Sequence, residues 1–290
     1  MRAFAEQAGL PKLAGPKPFG GEIMSHDFVE AALLRRGGWE VRMAPRLGGS
    51  YEECPPTLPD LLVRERRWCQ GNLQHIQVVA ARGLTPMSRL HLFRGLSAYL
   101  TSPLWLLFLI VGALQPMDGG ALASGQWDVF NLRLLEWVFS ISMISLFLPK
   151  LMALGLVLSR PSDLRRWGGP LRLLGGFVLE LALSTLIAPI LMIAQTKSLI
   201  DIVLGRDAGW SAQTREDGAI SWPDAARRHA LHTGAGIGLG VFAYLLSPTT
   251  LLWMIPVIAG LLLAIPLSVV TADPRYGRWV RGLGLLATPE

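Results

Sequence analysis

The sequence predicts a mainly α-helical protein in two parts: a polar N-terminal third, then a polytopic helical membrane domain of five or six crossings. Three observations predict it. Hydrophobic residues make up 51% of the 290 residues and charged residues only 17%, whereas soluble domains carry about 25% charge. The missing charge is concentrated after residue 95, where several runs approach the roughly 20 apolar residues needed to cross a hydrocarbon core. Before that point the apolar residues recur mostly at helical spacings.

The bulk numbers also exclude classes. A net charge of +6 fits cytoplasmic loops under the positive-inside rule. No Lys and Arg cluster interleaved with aromatics points to nucleic acid. Two cysteines, Cys54 and Cys69, make no disulfide framework. Together with His26 and His75 they lack the spacing of a zinc site. Residues 1–21 contain no apolar stretch of the kind a signal peptide carries.

Residues 9–21 are rich in Gly and Pro and read as loop. The string "SHDFVEAALLRRGGW" then predicts a helix from about Phe28 to Arg36. Ser25 or Asp27 would cap it, Asp27 and Glu30 have capping-box spacing, and Gly37 and Gly38 end it. Trp39, Val41 and Met43 alternate with Glu40 and Arg42, which predicts a short strand. Residues 45–57 read as loop. From Pro59 to about Arg82 the pattern is helical, with Thr57 or Leu58 near the cap and Gly83 past the end. Arg64, Arg67, Trp68, Gly71 and His75 share one face of that helix. Residues 85–95 mix Leu and Phe with Arg and His and predict a short interfacial helix.

The membrane part is expected over residues 96–271, with a cytoplasmic tail at 272–290. The first span is Leu96 to Leu114. The second runs from about Leu134 to Leu158, interrupted by Pro149 and Lys150. The basic linker 159–170 is expected inside. Residues 171–205 are largely apolar, are made more polar by Lys197 and Asp201, and are broken by Pro189. Read as one span they give five crossings and an external tail. Read as a hairpin they give six and an internal tail, which the distribution of Arg favours. Residues 234–271 hold two further spans with a turn at Ser247-Pro248-Thr249.

Two places could carry chemistry. Asp27 is a helix-capping carboxylate or a general base that takes a proton from an attacking hydroxyl. Arg67 and Trp68 belong to a surface helix with a snorkelling Arg, or they serve a phosphate and a sugar. An Arg fork donates two parallel hydrogen bonds to phosphate and stabilises charge that grows on a leaving group. A Trp face suits the C–H side of a pyranose. Within the membrane part Glu136, Lys150 and Glu180 are candidates by default. Glu180 is either a satisfied packing residue or part of a channel lining, with Trp105, Trp137 and Trp253 as further contacts.

Ser25-His26-Asp27 followed by Arg64-Glu65-Arg66-Arg67-Trp68 resembles the Thr-Glu-Asp and QxxRW motifs of the processive membrane glycosyltransferases of family 2. The strings "GGEIMSHDFVEAALLRRGGW", "GGSYEECPPTLPDLLVRERRWCQGNLQH" and "SAYLTSPLWLLFL" are similar to the bacterial branch that makes osmoregulated periplasmic glucans. The resemblance is strong over residues 1–115 and extends beyond mainly in hydropathy. It implies that residues 1–84 are the C-terminal portion of a cytoplasmic GT-A-like glycosyltransferase domain. Asp27 is then the catalytic base of an inverting, processive glucosyl transfer from UDP-glucose to a growing β-1,2-linked glucan. Arg67 holds the diphosphate and Trp68 stacks on the acceptor glucosyl unit. Arg64 stands where the family has Gln and either binds phosphate or faces solvent. "AQTKSLID" at 194–201 resembles the family's gating loop in outline.

The resemblance further implies a multi-pass bacterial inner-membrane protein in contact with lipid, with a periplasmic glucan-processing protein as a partner. A divalent metal, Mg or Mn, is expected, with ligands outside this chain. The 290 residues contain no Asp-x-Asp pair, and no strand–helix repeat precedes Ser25. The chain is therefore expected to be part of a longer enzyme and to be inactive alone. The alternative is a non-enzymatic polysaccharide-conducting subunit or a remnant that has lost its catalytic half.

Overall fold

Apolar segments of this length need a partner for every backbone polar group, and the helix supplies it internally. The computed structural model describes residues 2–44, 47, 49, 52–114, 129–209 and 218–288. Among them the regular structure is helical: α1 (Arg2–Gln7), α2 (His26–Arg36), α3 (Leu58–Val78), α4 (Pro86–Leu114), α5 (Val129–Leu158), α6 (Pro161–Arg166), α7 (Pro170–Val203), α8 (Trp222–Leu246), α9 (Pro248–Leu262), α10 (Ala264–Ala272) and α11 (Pro274–Gly282).

The head is built on α2 and α3. Val29, Ala32 and Leu33 of α2 meet Val78 of α3, Leu84 and Leu92 of α4 in one buried cluster. Thr57 caps α3, its hydroxyl accepting from the Asp60 backbone N–H, with proline in the first turn. The helix ends at Val78, four residues before the expected Arg82. The Arg89 guanidinium turns back from α4 and donates to the carbonyls of Val79 and Ala81, which gives the freed C-terminal carbonyls a partner.

Head and membrane part are continuous. The expected interfacial helix at 85–95 and the first span are one helix, α4. Gly95 lies within it at a close approach of α3 and α4, where a Cβ would stand 2.2 Å from Asn72 Oδ1. Cys69 and Leu73 of α3, Tyr99 of α4 and Ile202 of α7 form a second core. Leu58, Ile190 and Ala264 join α3, α7 and α10. Further out, Ala113, Ala243, Met254 and Ile258 join α4, α8 and α9.

The structure corrects three expectations. Residues 39–44 form no strand, and Trp39, Val41 and Met43 are all exposed. A strand needs a neighbour to take its backbone hydrogen bonds, and none is available among the described residues. Residues 171–205 are not a hairpin but the single 34-residue helix α7, with Pro189 inside it. Pro189 forfeits one backbone bond yet packs against Gly260, where a Cβ would come within 2.6 Å of its ring. The six-crossing reading rested on that hairpin. Pro149 likewise does not interrupt α5.

Four described helices (α4, α5, α7 and α8) are long and apolar enough to cross a membrane, and α9 with α10 make a fifth if their 50° bend is one broken span. At 1.5 Å per residue α7 is about 51 Å long, well beyond a core of about 30 Å. Its C-terminal turns therefore reach the head, where Asp201 meets Arg66 of α3 at 3.5 Å. "AQTKSLID" is thus helical and docked. Within the membrane part, Lys150 Nζ donates to both Glu180 oxygens at 2.8 and 2.9 Å, and Ser184 Oγ donates to Glu180 at 2.6 Å. Glu180 is a satisfied pairing residue.

Candidate functional site

The segment before α2 is held against α3 at very short range. A Cβ on Gly71 would lie 2.5 Å from the Ser25 backbone nitrogen, so only glycine admits this contact. Around it, Met24 N–H donates to Gln74 Oε1 at 3.0 Å, and Gln74 Nε2 donates to the Glu22 carbonyl at 3.1 Å. His75 Nε2 lies 3.3 Å from the Ser25 carbonyl, and its ring meets Phe28 edge-on at 5.7 Å. His75 is buried, and desolvation holds its imidazole below the usual pKa. Cys69, six residues earlier on α3, is also buried, and burial pushes its thiol up to about 12. It is an inert core residue.

This clamp fixes Asp27. Ser25 is the N-cap of α2 but makes no capping hydrogen bond through its side chain, and Asp27 sits inside the first turn. Asp27 is therefore not the cap. Its carboxylate is 86% exposed and faces a cavity of about 1080 Å³. His26 Nδ1 lies 3.2 Å from both Asp27 Oδ1 and Glu30 Oε1.

Arg67 and Trp68 line the same cavity. The five residues Arg64 to Trp68 have different surroundings. Glu65 accepts from Tyr99 of α4 at 3.4 Å and from Gln195 of α7 at 3.2 Å. Arg66 faces Asp201, which is also paired with Lys197 at 2.5 Å and Arg206 at 2.7 Å. Arg64 lies over the Trp68 ring, its guanidinium carbon 4.6 Å from the centroid, and does not line the cavity. Arg67 is half-buried and has no ion pair among the described residues. A desolvated guanidinium without a carboxylate is a ready anion site.

The fourth wall lies outside what sequence reasoning singled out. Lys17, Gln70, Gln74, Asp207 and Gly209 also line the cavity. Gln70 and Gln74 were findable, since they lie three and seven residues after Arg67 on one helix face. Asp207 gave no signal, being 137 residues from Gln70.

An exposed carboxylate, a guanidinium with no ion pair among the described residues and an indole therefore line one cavity. The chain belongs to glycosyl transferase family group 2, whose model matches residues 6–158.

Among relatives, the glucans biosynthesis glucosyltransferase H of Rhodopseudomonas palustris (strain TIE-1) is 51% identical over 300 residues, covering 100% of this chain and 41% of that one. The protein of the same name from Xanthomonas euvesicatoria pv. vesicatoria is 44% identical over 298 residues, with 100% and 46% covered. That of Xylella fastidiosa is 43% identical over 298 residues, with 100% and 47% covered. The chain thus spans less than half the length of the relatives that it matches. No solved structure matches it.

Proposed function

We propose that the cavity is the acceptor side of an inverting glucosyltransferase site that lengthens a β-1,2-linked glucan from UDP-glucose. The observation that carries this reading is that Asp27, Arg67 and Trp68, far apart in sequence, line one cavity. Asp27 takes the proton of the acceptor hydroxyl as that oxygen attacks the anomeric carbon of the donor. Its exposure leaves the carboxylate free to meet a substrate. Arg67 donates to the departing diphosphate, where negative charge grows. Trp68 carries the acceptor glucosyl unit on its face, and Arg64 holds that indole in place from the other side. Asn72 of the cavity lining packs beside Gly95 of α4, the helix that runs on into the membrane part, which suits processive elongation coupled to passage of the glucan across the inner membrane to a periplasmic partner.

A divalent cation bound with the diphosphate belongs to this reading, and its ligands are expected outside these residues. The described residues bring His26, Asp27 and Glu30 close enough to hold an ion, but they do not fit that task. A cation there would neutralise the carboxylate that must accept the proton, so no step runs through it.

The test is Asp27→Asn in the intact enzyme. Glucan synthesis should fall by about 10²- to 10⁴-fold, while membrane insertion stays normal. Full activity in that variant would remove Asp27 from the mechanism.

A further inference from the structure

Part of the cavity lining is assembled from residues with no local reason to meet. Lys17 Nζ donates to Asp207 Oδ2 at 2.9 Å across 190 residues of sequence. Gln70 Nε2 donates to Asp207 Oδ1 at 2.7 Å and to the Pro18 carbonyl at 3.1 Å. The Ala208 N–H donates to Gln70 Oε1 at 2.6 Å. Gln70 is buried and its amide is fully committed, so it is a clamp. Lys17 and Asp207 differ. Lys17 is 68% exposed and Asp207 27%, and both border the cavity.

An ionised carboxylate offers about four acceptor positions and an ammonium three donors. Asp207 uses acceptor positions on Lys17, Gln70 and the Gly209 backbone N–H. Lys17 uses one donor on Asp207. A lone pair and two N–H groups therefore remain, side by side and facing the cavity. That set complements two neighbouring hydroxyls, one donating to the carboxylate and one accepting from the ammonium. Gln70 fixes the position of the pair, and Lys17, Asp207 and Trp68 line the same cavity. A chain with one ring stacked on Trp68 has the pair within the same cavity to receive a neighbouring ring.

We propose that Lys17 and Asp207 form a second sugar subsite, gripping a pair of hydroxyls on the glucosyl unit next to the one carried by Trp68. This rests on the acceptor reading above and extends it from one sugar unit to two.

The test is binding of glucose and of sophorose, the β-1,2-linked glucose disaccharide, to the purified chain in a detergent without sugar headgroups, followed by titration calorimetry. The chain should bind sophorose about tenfold more tightly than glucose. Asp207→Asn should remove most of that advantage and leave glucose affinity unchanged. Lys17→Met, at an exposed position that folding tolerates, should remove part of it. If both variants keep the advantage, or if glucose affinity falls by the same factor as sophorose affinity, the pair is only a structural clasp and the subsite is refuted. Trp68→Ala separates the two readings. It should weaken both sugars, and if it weakens neither, the acceptor reading itself fails.

Discussion

α3 and α5 are both long helices, and they invert the usual relation between polarity and burial. α3 is polar, yet ten of its residues are buried, among them Gln70, Asn72, Gln74 and His75. α5 is strongly apolar, yet none of its described residues is buried, and its side chains reach α7 through the Lys150–Glu180 pair. The hydrophobic effect explains neither helix by itself. α5 has the composition of a helix solvated by lipid, where exposed Leu, Ile and Phe cost nothing. Gln70, Gln74 and His75 are buried in α3 where each meets a backbone segment: Gln70 holds 207–208, Gln74 holds 22–24 and His75 meets Ser25. Buried polar groups are tolerable when paired, and here the pairing builds the site.

The sharpest way to break this comparison is to cut equally into both regions. Leu92 is fully buried where α4 meets the head, so Leu92→Ala should cost about 2–5 kcal/mol. Met152, exposed on α5, should tolerate Ala within about 0.5 kcal/mol. Thermal midpoints of the two variants in detergent measure the contrast, and equal losses would show that α5 is packed against protein.

Next in size is Gly71→Ala. The added methyl would press on the Ser25 backbone, which cannot swing away as a side chain could. About 1–3 kcal/mol should be lost, together with sugar binding, because Asp27 would shift relative to Trp68. A variant of unchanged stability would mean that α2 and α3 are not clamped.

The smallest effect is a pH dependence. Burial keeps His75 neutral, with its pKa below 6.5. The unfolded chain takes up a proton there as pH falls through 6.5, so the stability His75 contributes is complete above that pH and is lost below it. The thermal midpoint should therefore fall between about pH 7.5 and pH 5. His75→Gln should flatten that part of the slope, and an unaltered slope would assign it to other groups.

Much of the site was legible in the sequence because its chemistry sits in two short strings. Ser25 to Asp27 and Arg64 to Trp68 are each local, and helical periodicity put Arg67, Trp68, Gly71 and His75 on one face of a helix that exists. Gly71 could be seen on that face, but not that Ser25 would press against it. Arg64 looked equivalent to Arg67 in spacing, and the structure separates them, one over an indole and one at the cavity. The strand at 39–43 failed because alternation describes a segment's faces and not whether another strand lies beside it. The hairpin at 171–205 failed because the distribution of Arg favoured an extra crossing and Pro189 looked like a breaker, and only the groove at Gly260 on α9 shows how a continuous helix accommodates it.

The sequence by itself determined that the chain is helical, that its latter part is built for a membrane, and that a carboxylate and an Arg-Trp pair stand at the two ends of one short stretch. Those properties follow from composition, period and local spacing. The tertiary structure alone decided that α7 is one helix reaching back to the head, and that Asp207 and Lys17 close the cavity begun by Asp27 and Trp68. Contacts across 137 and 190 residues leave no periodic trace in a sequence. They arise only when the helices that carry them are packed together.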